Sequence, residues 1–242
     1  MTGKSKVLKC QKLRNNEYYD MQAIFDKLYQ ESLKNKKFNK LIEIITAEEN
    51  IKLAYRNLKK SSGSKTAGTD KKTIKDIAKL SEKEIIEKVR NKLKWYKPQK
   101  VRRVEIPKAN GKTRPLGIPT IFDRLIQQCI LQVLEPICKA KFRESNHGFR
   151  PNRGAENAIA QFERYVQMCN LHIVVDIDIK GFFENVNHGK LLKQMWTIGV
   201  QDKKLICIIS EMLKAEVAGI GFPEKGTPQR TEFYHHYCQT LY

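Results

Sequence analysis

Apolar side chains recur at steps of three and four along the first third of the chain. Residues 18–34 place Met21, Ile24, Phe25, Leu28 and Tyr29 on one helical face, and residues 38–58 do the same with Leu41, Ile44, Ile45, Ile51, Leu53, Ala54 and Leu58. This spacing predicts amphipathic helices packed on a core. Ser81 followed by Glu84 is a capping box and starts another helix over 82–96. Residues 59–70, KKSSGSKTAGTD, read as a loop. Two roles stay open for it: a solvated linker, or a phosphate-contacting surface built of small residues, exposed amides and lysines. Asp70 is placed to cap the helix that follows. Residues 1–16 are polar and basic and are expected to be disordered, or ordered only on a partner.

The period changes from residue 101. Val101, Arg103 and Glu105 alternate with Arg102, Val104 and Ile106, and Asn110-Gly111 is a strong two-residue hairpin signal before Lys112–Ile118. The predicted hairpin carries Lys100, Arg102, Arg103, Lys108, Lys112 and Arg114, and Pro115 and Pro119 bracket the end of its second strand. Asp123 to Phe142 reads as a long amphipathic helix, 145–154 as a loop, and the following residues to about Cys169 as a helix. LHIVVDIDI, residues 171–179, is apolar and β-branched and predicts a buried strand. Helices are expected at about 188–198 and 202–213, with a short strand near 214–218.

Charge narrows the partners. The 242 residues carry a formal net charge of +20 with 40% hydrophobic residues, so the chain can bury a core yet repels itself unless a polyanion is near. Nucleic acid and an anionic membrane surface both satisfy that requirement. The charge is spread through the folded region rather than gathered on one amphipathic helix, which favours nucleic acid. No run of about 18 apolar residues is present, and the N-terminus has lysines but no apolar signal core. The six cysteines form no C-x-x-C pair, so neither zinc nor a disulfide framework is expected and the chain reads as cytoplasmic.

Asp176 and Asp178 stand at i and i+2 at the end of the 171–179 run, on one face. A carboxylate at the tip of a buried strand needs a positive partner, and Mg²⁺ suits it. A plain turn cap is the other reading.

Four ordered motifs then carry a resemblance. Residues 176–188, DIDIKGFFENVNH, resemble the first catalytic motif of group II intron reverse transcriptases, close to D-x-D-I-K-G-F-F-D-x-I-x-H. Residues 104–119, VEIPKANGKTRPLGIP, resemble that family's fingers hairpin, residues 145–153, SNHGFRPNR, its S-x-G-F-R-P-x-R segment, and residues 226–229, GTPQ, the start of its G-T-P-Q-G-G motif. The resemblance covers at least residues 38–229. It implies that Asp178, with the carbonyl of Ile179, is a catalytic ligand of Mg²⁺. It implies that Lys108 and Arg114 grip an incoming deoxynucleoside triphosphate, that Phe183 is the gate against a ribose 2′-hydroxyl with Phe182 beside it, and that Gln229 lies near nucleotide and template. Lys65, in a family region that grips template and intron RNA, and Arg102, Arg103 and Lys112 of the hairpin are the expected RNA contacts. Arg150 and Arg153 match a segment near the template, and ion pairs that hold their loop are an equal alternative.

The fold implied is α+β: helix-rich reverse-transcriptase fingers with a basic β-hairpin, plus an incomplete palm sheet. The expected division is a basic N-terminus at 1–16, a helical fingers extension at 17–96, fingers with the hairpin at 97–170, a partial palm at 171–229 and a non-family tail at 230–242. The implied partners are intron and template RNA, a DNA primer and a deoxynucleotide, with no membrane, and the family allows a homodimer through its fingers. A binding module made of the fingers alone, and the retron or CRISPR-associated branches, are the rival readings.

The sequence departs from the family after Gln229. No Y-A-D-D run occurs, and RTEFYHHYCQTLY stands where G-G, an Ile or Val, and then L-S-P-L-L-x-N are expected. Read one base out of frame, Phe233 into Tyr234, His236 into Tyr237 and Tyr237 into Cys238 can each encode only Leu. Gln239 into Thr240 then gives Asn or Asp. The expectation is a small insertion or deletion near codon 229 that truncated a longer protein. Sequencing the coding DNA tests it, and an alternate frame with no polymerase-like continuation would reject it.

Overall fold

The computed structural model describes residues 11–107, 111, 113–148, 150, 153–169 and 171–226, with Arg114 described by its backbone. Four helices open the chain: α1 (Gln11–Tyr18), α2 (Gln22–Leu33), α3 (Leu41–Ile45) and α4 (Glu48–Lys60). Two expectations need correction. Residues 11–16 belong to a helix rather than to a disordered arm, and α1 is fastened by Lys12, whose ammonium meets Glu135 of a later helix at 2.7 Å. The predicted helix over 38–58 is two helices, broken at Thr46-Ala47, where Ala47 is extended (ψ 144°).

The short α5 (Ile74–Ile77) and α6 (Glu82–Lys94) follow. Ser81 and Glu84 form the predicted capping box of α6. The cap of α5 is Thr73, paired reciprocally with Asp76, and not Asp70. Asp70 closes a turn instead, accepting from the amide of Lys72. The hairpin is present as β1 (Arg102–Pro107) and β2 (Thr113–Ile118), antiparallel, with Val104 opposite Leu116. Five residues lie between the paired Pro107 and Thr113, so the register does not fit the expected two-residue Asn110-Gly111 turn, although Gly111 is left-handed at φ +74°.

The core is built around α7 (Ile121–Lys139), which packs against α2, α3 and α4. Leu125, Ile126, Ile130 and Leu134 on it are fully buried, each worth about 1.5–3 kcal/mol relative to exposure. The Asn50 side chain that this packing encloses is satisfied, whereas Arg124 Nε on α7 is buried without a hydrogen-bond partner. The buried Asn50 amide donates to the carbonyls of Ile45 and Cys129 and accepts from Gln132 at 2.6 Å. The Cys129 thiol is pushed up by burial, so it behaves as a small hydrophobe.

Beyond α7 come α8 (Ala155–Met168), α9 (His188–Thr197) and α10 (Lys203–Leu213). Of these, α9 packs on α10, and α10 packs back on α3. Asp202 caps α10 by accepting from Leu205 N at 3.1 Å and caps α3 by accepting from Ile42 N at 2.9 Å. A bridge joins Phe38 to Val200. Gly199, at φ +107°, lies so close that a Cβ would stand 2.7 Å from the Lys36 carbonyl oxygen.

Residues 171–179 do not form the predicted buried strand: they belong to no helix or strand ladder and are exposed, Ile173 and Ile177 above 80%. A strand exists only where another backbone accepts and donates its hydrogen bonds. Among the described residues β1 and β2 pair only with each other. The expected strand at 214–218 is reduced to bridges, Val217 with Val101 and with Gly221. No helix among the described residues is long and apolar enough to cross a membrane. The tail at 230–242 lies outside the described residues.

Candidate nucleic-acid interface

The loop at 59–70 is not a slack linker. Arg124 of α7 reaches into it, donating from Nη1 to the Gly63 carbonyl at 2.6 Å and from Nη2 to the Thr66 carbonyl. Burial works against the Arg124 charge, the Asp70 carboxylate supports it, and Arg102 opposes it. Gly68 lies against the start of α7, where a Cβ would stand 2.7 Å from Thr120 Cα. Thr69 donates to the Lys100 carbonyl at 2.7 Å, so the loop also touches the root of the hairpin. Lys65, at the end of the short 3-10 helix Ser62–Lys65, is held exposed on this fixed frame.

A second node fixes the hairpin root. Asp123, 1% exposed, accepts from Lys92 Nζ at 2.5 Å, Tyr96 Oη at 3.1 Å, Gln99 N at 3.0 Å and Thr120 Oγ1 at 2.8 Å. Arg103 pairs with Glu105 at 2.6 Å, whereas the Nε of half-buried Arg102 has no hydrogen-bond partner. Lys108 and Lys112 lie outside the described residues, as does the side chain of Arg114. Arg150 donates to the carbonyls of Arg143 and Asn146 and lies over the Phe142 ring, and Arg153 donates to the Glu144 carbonyl. Both arginines thus hold their own loop through backbone carbonyls, not through the expected ion pairs.

Asp176 and Asp178 sit in the exposed segment 171–179. They offer hard oxygens, as does the Ile179 carbonyl, but among the described residues no cluster of three acidic, His or Cys side chains could hold a metal. These donors alone do not complete a Mg²⁺ shell. Immediately after them the backbone turns at Gly181 (φ +61°) into a 3-10 turn, Phe182–Glu184. The Phe182 and Phe183 rings meet edge to face, 5.0 Å apart, and pack on the core. Phe182 and Ile179 help line a cavity of about 190 Å³.

The turn has a fixed neighbour. Gly226 donates its amide to the Val186 carbonyl at 2.8 Å, and its own carbonyl accepts from buried His188 Nε2 at 2.5 Å. A Cβ on Gly226 would stand 2.7 Å from the Glu184 oxygen. The first residue of GTPQ is therefore seated on the Phe182–Glu184 turn, while Gln229 lies outside the described residues. Sequence reasoning gave no role to His188, Asp123 or Arg124. The only local signal among them was Thr120 three residues before Asp123, an N-cap spacing.

Residues 106–234 match the family described as Reverse transcriptase (RNA-dependent DNA polymerase). The chain is 34% identical over 198 residues to Group II intron-encoded protein LtrA of Lactococcus lactis subsp. cremoris, covering 80% of this chain and 32% of that protein. It is 32% identical over 203 residues to Protein YkfC of Escherichia coli K12, covering 80% of this chain and 52% of that one. It thus spans about a third to a half of the length of these relatives. Its fold is similar to a chain of the partial Cas6-RT-Cas1–Cas2 complex, with a TM-score of 0.52 at 17% identity, over 81% of this chain and 33% of that one.

Proposed function

This chain belongs to the reverse transcriptase family, of the group II intron type, and from that premise we propose that it is the RNA-gripping part of an RNA-directed DNA polymerase that also assists splicing of its intron RNA. The observation that carries the reading is the family match over 106–234, within which Gly226 seats on the Phe182–Glu184 turn. In this reading the fixed loop at Lys65 and the hairpin bearing Arg102, Arg103 and Lys112 meet template and intron RNA. Lys108, Arg114 and Gln229 meet the deoxynucleotide, and Phe182 and Phe183 border its sugar. Asp178 and the Ile179 carbonyl are this chain's share of a Mg²⁺ site. Arg150 and Arg153 act on RNA through the loop they hold.

The chain contains no Y-A-D-D run, and Asp178 is the one metal carboxylate assigned here. We expect it to bind RNA without extending a primer. The test measures both on one sample, for the native chain and Asp178→Ala. The expected result is equal RNA affinity for the two and no extension by either. Extension by the native chain that Asp178→Ala abolishes would replace this reading with an active polymerase. Failure to bind RNA at low salt would overturn it altogether.

A further inference from the structure

Trp95 ends α6 with its side chain 90% exposed. An indole is large and apolar, and leaving it in water forfeits the burial that Leu93 and Tyr96 on either side of it achieve. Its neighbours show that this exposure is built in. Leu93 is buried at 1% and Tyr96 at 6%, and the Tyr96 hydroxyl donates to Asp123. Lys92 is held by the same carboxylate, with its ammonium 5.7 Å from the Tyr96 ring centre. Gln99 N is tied to Asp123 as well. The backbone on both sides of Trp95 is thus pinned, and the indole is turned outward from a rigid strap.

The surroundings are basic. Lys94 and Lys97 flank Trp95 and are exposed. The strap continues to Lys100, whose carbonyl accepts from Thr69, so the segment that carries the indole is tied to the loop at 59–70. Lys100 itself pairs with Glu216 at 2.6 Å, which anchors the strap at its far end. An exposed aromatic face between cations matches one kind of ligand well: an unpaired nucleotide, with its base on the ring and its phosphates on the lysines. Charge complementarity selects a polyanion, and the flat apolar face selects one that offers π-surfaces.

We propose that Trp95 is a stacking platform for an unpaired base of bound RNA, flanked by Lys94 and Lys97 as phosphate contacts. The proposal rests on the reading of the chain as an RNA-binding protein and adds to it a single-stranded site. Because the side chain is almost fully exposed, its replacement leaves the core intact.

The test uses the full chain carrying Trp196→Phe, so that Trp95 is the sole source of indole fluorescence. Saturating oligoadenylate is expected to quench that fluorescence, while heparin and a blunt RNA duplex bind without comparable quenching. Trp95→Ala and Trp95→Leu should each weaken oligoadenylate binding by about tenfold, and Trp95→Phe should keep most of the affinity. RNA binding with no quenching, or with Trp95→Ala as tight as the native chain, would overturn the platform and leave RNA binding standing. No RNA binding by any form would overturn both. If Trp95→Ala binds RNA normally but sediments as a smaller species, the indole is a contact between copies and the proposal fails.

Discussion

Replacing Asp123 with Ala is expected to lower stability by about 3–5 kcal/mol, read as a shift in the urea midpoint. The carboxylate is 1% exposed and receives four donors from three stretches of chain: Lys92 and Tyr96 around the end of α6, Gln99 on the strap, and Thr120 at the start of α7. Its removal leaves a buried tyrosine hydroxyl and a partly enclosed ammonium without an acceptor, and each unmet group carries its own desolvation cost. The side chain also sits in the first turn of α7, where a negative charge meets the positive end of the helix dipole. Asp123→Asn keeps the shape and should lose less. A midpoint unchanged in Asp123→Ala would show that the node is ornamental.

Affinity for RNA is expected to fall by about 10³–10⁵ between roughly 50 and 200 mM salt, the loss that accompanies neutralisation of about six to ten phosphates. The net charge of +20 does not measure this by itself, because part of the positive charge is used internally. Lys12, Lys52, Lys92, Lys100, Arg103 and Lys139 all pair with carboxylates. Lys65 of the loop and Lys94 and Lys97 of the strap are exposed and are among the cations that remain for phosphate. Anisotropy titrations of a labelled RNA across salt concentrations give the slope directly. A slope near zero would rule out an electrostatic grip and leave the charge without a ligand.

Features set by near neighbours were readable in the sequence. The Ser81–Glu84 box, the hairpin around Gly111 and the helices ending at Met168, Thr197 and Leu213 all follow from residues within a few positions of one another. The Thr73–Asp76 box carries the same three-residue signature, and it rather than Asp70 caps α5. Residues 171–179 were misread for a different reason. Their pattern describes a chain suited to a strand, but pairing belongs to two segments, and periodicity says nothing about the second. Within the candidate site, the motif residues were placed by resemblance. What fixes them is long-range: Arg124 on Gly63, Asp123 on Gln99, His188 on Gly226. No local spacing encodes such pairs.

The double cap at Asp202 also bears on how the molecule is made. The amide that it satisfies on Ile42 is 160 residues earlier in the chain. During synthesis the opening helices therefore emerge from the ribosome well before the group that completes them, and their last fastening waits for α10. A contact between residues so far apart in sequence carries a large loop-closure cost and forms late. Until that clasp shuts, the nascent basic chain must be kept from sticking to the wrong surfaces, and a cognate polyanion already at hand would serve as its first escort.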